Sequence, residues 1–482
     1  MPQPPMIRTA AVAVALLASA ALPVALPWAP PPGRAADCRG RRIASWSADS
    51  RHTAEFARYG DDNSRVDDWT GGDGTHSVRL PGGRTLWLFS DTFLDRIQPP
   101  PNPRGERHRW RTADTGGTPL LRHNSVVVTA RSGRPARTLT GGTATAPGPF
   151  FPDPPGGGRR WPVGASVEPR TPGAAEKVVR VLLWNRVPGT GPWIFGVPRG
   201  TEVATLSLPG LRLESIAPTV GRTSADPDRR VLNGAAAVRD GGRTYVFGAD
   251  DPASSPASSA SLARVPHGRL ADRGSWRFWD GARWQQRAGR AAPVLRAGGR
   301  RGVGSAFTVV RDGPAWLLFT MDTGGGGAAG MRSITTYWSC SPRGPWHGPD
   351  RRLTPPRPPA ADPRYVAAYN PQVHPGFTAN GEFLLSYDIN WLGPPGVPPD
   401  ARLNGDVELY RPRFLRVRTG TVGGVRCGAA ADAVNRRFSR PPRPLNSRAA
   451  PATCGPLRRC RSARGAVAGL RAACGAPRGS GR

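Results

Sequence analysis

Residues 70–93 read TGGDGTHSVRLPGGRTLWLFSDTF, with Asp73 and Asp91 18 positions apart and Pro81-Gly82-Gly83 at the midpoint. Thr75 to Leu80 and Arg84 to Phe89 have the composition of two short strands, and the Pro-Gly-Gly turn supplies the positive-φ residues of a tight hairpin. Folding at that turn sets Asp73 beside Asp91 at the open end. Two carboxyl groups held together repel, so one tends to keep its proton while the other ionises. That division suits acid–base chemistry on a glycosidic bond.

The unit recurs along the chain. LNGAAAVRDGGRTYVFGADD flanks its turn with Asn233 and Asp250, GSAFTVVRDGPAWLLFTMDT with Ser305 and Asp322, and YNPQVHPGFTANGEFLLSYDIN with Asn370 and Asp388. A longer-turned copy runs from about Ala165 to Asn185. Starts near 73, 165, 233, 305 and 370 define five all-β units. Each is too small to bury its own faces and must pack on its neighbours. The expected fold is all-β, a five-bladed β-propeller with four-stranded blades.

The segments around this core are expected to be simpler. Residues 1–36 carry an early Arg8, the apolar run AAVAVALLASAALPVAL and the small-residue site Ala35-Ala36, the pattern of a secretory leader. The propeller is expected over 37–427, and an Arg-rich disordered tail over 428–482. The net charge of +33 comes almost wholly from Arg, Lys177 being the one lysine. No nucleic-acid module or phosphate loop accompanies that charge, so nucleic acid is not the expected partner. No later run is long and apolar enough for a membrane span. Six cysteines in an exported chain point to disulfides rather than metal, and a bridge within Cys38, Cys340 and Cys427 is expected. Neither metal nor cofactor is called for, and a monomer is expected.

The longest loops, 94–122, 251–260, 323–331 and 391–407, leave from the rim that carries Asp73 and Asp91. Scaffolds with tight turns on one side and long loops on the other place their sites among the long loops. His123 and Asn124 return from the first of them toward Asp91. Substrate ligands are therefore sought at His123, Asn124, Asn185, Asn233, Asp250, Asp322, Asn370 and Asp388. Trp69, Trp184, Tyr369 and Trp391 are the rim aromatics that could stack on sugar rings.

GGDGTHSVRLPGGRTLWLFSDTF, HNSVVV, WRFWDG, SPRGPW, YNPQ and YRPRF together resemble the uncharacterised secreted five-bladed propeller domains of high-GC Gram-positive bacteria. Those domains are distantly similar to propeller endo-D-arabinanases that cut cell-wall arabinan and, by architecture, to arabinanase and β-xylosidase propellers. The resemblance spans about 67–420. It implies a paired-Asp site in the first blade, on Asp73 and Asp91. The sequence departs from the usual propeller hydrolases in lacking a rim Glu as acid, Glu408 being a remote substitute, and in lacking the repeated Asp-box. The expected activity is a secreted glycoside hydrolase, Asp73 serving as base or nucleophile and Asp91 as acid, or the reverse. Asp250, Asp322 and Asp388 would orient hydroxyls or tune the pair. A non-catalytic carbohydrate-binding propeller at the cell wall is the alternative.

Overall fold

The computed structural model describes residues 38–426, apart from 66, 68, 99–109, 113–120, 191–192, 194, 254, 325–330, 359–361, 363 and 395–398. The expected leader, the Arg-rich tail and Cys427 lie outside the described residues, as does part of each long rim loop.

Five antiparallel sheets follow one another along the chain. The first contains His76–Arg79, Thr85–Phe89, Ser125–Thr129 and Pro135–Leu139. The second contains Arg159–Pro169, Lys177–Val187, Val197–Leu206 and Leu213–Val220. The third departs from the expected four strands: Val231–Asp240, Arg243–Asp250, Ala260–Pro266 and Arg277–Trp279 are joined by a fifth, Trp284–Gln285. The fourth is Phe307–Asp312, Ala315–Met321, Ile334–Ser339 and His347–Leu353. The fifth is Val366–Val373, Glu382–Trp391 and Arg413–Arg426, with Arg39–Ala48 from the start of the chain as its outermost strand.

Each sheet's second strand reads as an apolar run because both of its faces are covered. Thr85–Phe89 is buried at every position, and so are Val178–Arg186 and Phe383–Ile389. Apolar clusters fill the spaces between consecutive sheets. Leu88, Val126, Val181 and Leu206 join the first to the second, and Val246, Leu262, Phe307 and Trp316 join the third to the fourth. The leading strands of all five sheets line one cavity of about 90 Å³, with His76, Gly164, Ala236, Val309 and Gln372 each facing it from a different sheet. The fifth sheet meets the first through His374, whose Nδ1 pairs with Ser77 Oγ at 2.8 Å and Nε2 with Ser386 Oγ at 2.8 Å. Burial drives the proton affinity of His374 well down, so one ring nitrogen donates and the other accepts.

The recurring hairpins form at the expected turns, with corrections of register. The second begins earlier than Ala165: its strands pair from Arg159 opposite Arg186 to Pro169 opposite Lys177. In the third, a bulge between Asn233 and Ala236 shifts the ladder. Asn233 therefore faces Gly248 and Asp250 faces Val231, so these two do not oppose each other as expected. In the fifth, Asp388 faces Tyr369 rather than Asn370.

Between the outermost strand and the first sheet, Ser50–Asp61 forms a helix that packs Phe56 and Tyr59 among Trp69, Trp87, Phe89 and Phe414. Trp69 is fully buried there, so it is core rather than a rim platform. Asp49 caps the helix, its Oδ1 accepting from His52 N at 2.9 Å and its Oδ2 from Arg416 Nε at 2.7 Å. Burial alone would raise the Asp49 pKa, but the His52 and Arg416 contacts outweigh it and hold the group well below the usual range. A depressed carboxylate adds stability that is present above its unfolded pKa, about 4, and is lost as pH falls below that. Asp49→Ala is expected to cost about 1–3 kcal/mol at pH 7 and to flatten the acid limb of the stability profile. Urea titrations at pH 7 and pH 3 check this, and equal losses at both would contradict it.

Candidate active site

Asp73 and Asp91 meet where two ladders break. Below them runs the hairpin of the first sheet. Above them Trp69–Gly72 pairs with Thr92–Leu94. Asp73 N donates to Asp91 O at 3.1 Å and Ser90 N to Asp73 O at 2.7 Å, which fixes the two residues side by side as the hairpin reading anticipated. Gly74 makes the break possible. Its φ is +64°, and a Cβ there would stand 2.3 Å from Ser90 Oγ.

The same glycine brings in a third carboxyl group. Gly74 N donates to Asp388 Oδ2 at 2.7 Å, Thr75 Oγ1 to Asp388 Oδ1 at 2.8 Å and Asn370 Nδ2 to Asp388 Oδ2 at 3.2 Å. Asp388 is buried, whereas Asp73 and Asp91 keep part of their surface open. Tyr369 OH donates to Asp73 Oδ2 at 2.8 Å, and the Tyr410 hydroxyl also bonds Asp73. On the other flank Trp161 Nε1 donates to Asp91 Oδ1 at 2.9 Å.

All three carboxyl groups bind protons more tightly than usual, for different reasons. Asp73 is pushed well up by burial first, then by the charges of Asp91 and Asp388. Asp91 is raised by burial, against the Trp161 hydrogen bond and the positive field of Arg159 and His123. Asp388 is raised by burial to about 6, with its donors from Thr75, Gly74 and Asn370 pulling the other way. At neutral pH the cluster is therefore differentiated. Asp73, facing two other carboxyl groups, is the best proton holder, and Asp91, with a cation beside it, is the easier to ionise.

The remaining expected ligands divide. Asn370 belongs to the site through Asp388. His123 lies within the field of Asp91 but is held by Asp153, its Nδ1 2.9 Å from Oδ1. Asn124 is corrected to a structural role. It is wholly buried, its amide donating to Phe151 O and Arg160 O and its Oδ1 accepting from Phe151 N. Asn185 is likewise buried and donates to Glu202, which Arg160 also grips. Asn233 is buried, and its backbone carbonyl serves Trp184 and Thr201. Asp250 closes a loop by accepting from Ser259 N at 2.6 Å, and Asp322 pairs with Arg351 at 2.9 Å. Neither is recruited to the Asp73 cluster. Glu408 pairs with Arg413.

Tyr410, Trp161 and Arg159 were not singled out from the sequence. Trp161 lies just before the region taken as the second unit, and Tyr410 on a 3-10 turn, Val407–Tyr410, outside every repeat. Only the start of WPVGAS, read as part of the strand, could have pointed to Trp161. Among the described residues no group of three or more His, Cys, Asp or Glu side chains is arranged to hold a metal ion. No described helix is long and apolar enough to cross a membrane.

No curated protein matches the chain by sequence. In three dimensions it is similar to a Bacteroides ovatus ATCC 8483 protein provisionally assigned as a hydrolase, with TM-score 0.55, 19% identity, and coverage of 77% of this chain and 90% of that one. At that identity the likeness establishes the fold alone. Weaker likenesses reach the catalytic domain of a Coprinopsis cinerea GH62 α-L-arabinofuranosidase (TM-score 0.39, 10% identity, 74% of this chain and 92% of that one). They also reach an exo-1,5-α-L-arabinanase from a bovine ruminal metagenomic library (TM-score 0.39, 10% identity, 72% and 93%). A family model matches residues 55–420, three-quarters of the sequence and all of the site built above, and the chain thus belongs to the family described as Domain of unknown function (DUF5005).

Proposed function

We propose that this chain is an exported glycoside hydrolase that cleaves a polysaccharide, with its five sheets acting as the blades of a five-bladed β-propeller. One observation carries the reading: Asp73, Asp91 and Asp388 converge at the ladder break with raised proton affinities and unequal surroundings. Glycosidic cleavage needs one carboxyl group that arrives protonated and one that arrives ionised. The surroundings favour the second of the two role assignments left open by the sequence. Asp73 holds the proton and delivers it to the leaving oxygen, with Tyr369 and Tyr410 fixing its orientation. Asp91, held by Trp161 and eased toward ionisation by Arg159, is the base or nucleophile. Asp388 acts on Asp73 through its charge and positions it through Gly74.

The leader-like first 36 residues and a disulfide between Cys38 and Cys340 support export to an oxidising compartment. The sequence resemblance to arabinan-cutting propellers sets the first substrate to try. The test is incubation of the purified full chain with cell-wall arabinan, plant arabinan, arabinoxylan and arabinogalactan, scoring new reducing ends. Product from at least one is expected. Binding to one of them with no product from any would move the protein to the carbohydrate-binding alternative.

A further inference from the structure

Next to Asp91 the second sheet presents a group of side chains in which Trp161 and Arg159 act on Asp91, while Phe195 has no part in the acid–base chemistry. Along Arg159–Pro169 successive side chains alternate in direction. Arg160 turns to Glu202, while Arg159 and Trp161 share the opposite face. Arg159 Cζ lies 5.5 Å from the Trp161 ring centre and Arg186 Cζ 5.3 Å from it. The two guanidinium groups differ in what else they do. Arg186 is buried, pairs with Asp251 at 2.8 Å, and donates to Phe195 O and Gly196 O at 2.9 Å each. Arg159 is partly exposed and has no hydrogen-bond or ion-pair partner among the described residues.

The grip of Arg186 fixes the backbone of the turn that carries Phe195. That ring is 59% exposed, the most open large apolar side chain among the described residues, and its centre is 6.3 Å from Trp161. A single exposed apolar residue is ordinary on a surface. Here the exposed ring stands on a turn held by a buried cation, near Arg159, a fork of donors with no side-chain partner among the described residues, and both lie close to Trp161, which bonds Asp91. Phe195 offers an apolar face for the C–H side of a sugar ring, and Arg159 offers donors for its hydroxyls.

We infer that Phe195, Arg159 and Trp161 form a sugar-binding subsite beside Asp91, so that the substrate is a glycan extending at least one sugar unit past the bond that is cut. The inference rests on the hydrolase reading for the position of that bond, but not for the binding itself. The geometry assigns specificity to Phe195 and Arg159, and to Trp161 both the floor of the subsite and the donor that positions Asp91.

The test separates the two. Full-length protein carrying Asp73→Asn is run through native gels containing, in turn, cell-wall arabinan, plant arabinan, arabinoxylan or arabinogalactan. Retardation by at least one polymer is expected. Adding Phe195→Ala or Arg159→Gln should weaken it roughly tenfold, with Phe195→Tyr restoring it and the thermal midpoint unchanged throughout. In the active protein Phe195→Ala should raise KM on the polymer and leave kcat nearly level, whereas Arg159→Gln should raise KM and also move the acid limb of kcat to higher pH, because Asp91 loses the cation that eases its ionisation. Retardation that persists undiminished in both variants, or no retardation by any polymer, overturns the subsite. Retardation lost in both variants while the wild type yields no product overturns the hydrolase reading and leaves the subsite standing.

Discussion

Asp73→Asn and Asp91→Asn are each expected to lower glycan cleavage by about 10²–10⁴-fold, while the thermal midpoint at pH 7 holds level or rises. The first half follows from role. An amide at Asp73 cannot deliver a proton, and at Asp91 it cannot accept one or attack. The second half follows from linkage. A carboxyl group whose folded pKa lies above its unfolded value destabilises the fold once pH passes the unfolded value of about 4. The folded protein must then either hold the proton or bear the charge in a buried, negatively flanked position. The amide removes that cost. It can still accept the Tyr369 hydrogen bond at Asp73, or the Trp161 hydrogen bond at Asp91. Asp388→Asn should behave differently. Asp388 accepts from Gly74, Thr75 and Asn370, and an amide has one acceptor oxygen to serve them. That variant should lose stability, and whatever activity survives should show its alkaline limb moved to lower pH, because Asp73 no longer feels the Asp388 charge. Reducing-end assays across pH 4–9, with thermal melts on the same samples, read both effects. Full activity in both the Asp73 and Asp91 variants would end the acid–base assignment.

The Asp73–Asp91 pairing was legible because it is local. One turn with glycines and two strands of known period determine it, and nothing from elsewhere in the chain can alter which residues face each other. Asp388 was legible as a member of a repeat but not as a neighbour of Asp73, because repeat position alone does not say which sheets touch across the ring. The Asp388–Gly74 hydrogen bond joins residues 314 positions apart. The same limit explains the misplaced ligands. Asp250 and Asp322 occupy positions analogous to Asp91, yet the loops that follow them differ, and each carboxylate is taken up by its own loop or by Arg351. Asn124 and Asn185 have the right chemistry for sugar hydroxyls, but an amide at a strand end serves the backbone equally well, and burial decides between the two uses. Bulges were the other blind spot. Two extra residues after Asn233 shift the partner of Asp250, and no composition signal marks them.

Replacing both Cys38 and Cys340 with Ser is expected to lower the free energy of unfolding by roughly 2–5 kcal/mol, with the urea m-value level or raised because the unlinked unfolded chain exposes more surface, and glycan cleavage retained at temperatures where the variant stays folded. The bridge spans 302 positions and ties the start of the described chain to the residue after Ile334–Ser339 in the fourth sheet. From that anchor Arg39–Ala48 runs along Arg413–Arg426 as the outermost strand of the fifth sheet. The fifth sheet is thus the only one of the five assembled from both ends of the described chain, and its edge can open without disturbing any hairpin. Other contacts fasten the same corner: Arg41 pairs with Asp312 at 2.9 Å, and Thr419 Oγ1 donates to Asp312 Oδ2 at 2.7 Å. These hold the strand once it has docked, whereas the covalent link acts mainly by restricting the unfolded chain. The loss should therefore appear as a lower urea midpoint rather than as a broadened transition. Asp73 and Asp91 lie at the open end of the first sheet's hairpin and Asp388 on an inner strand of the fifth, away from this edge, so chemistry should survive in whatever fraction is folded. Matching midpoints for the wild type with and without dithiothreitol, both equal to that of the double Ser variant, would show that the link contributes nothing and that the outermost strand is held by its ladder alone.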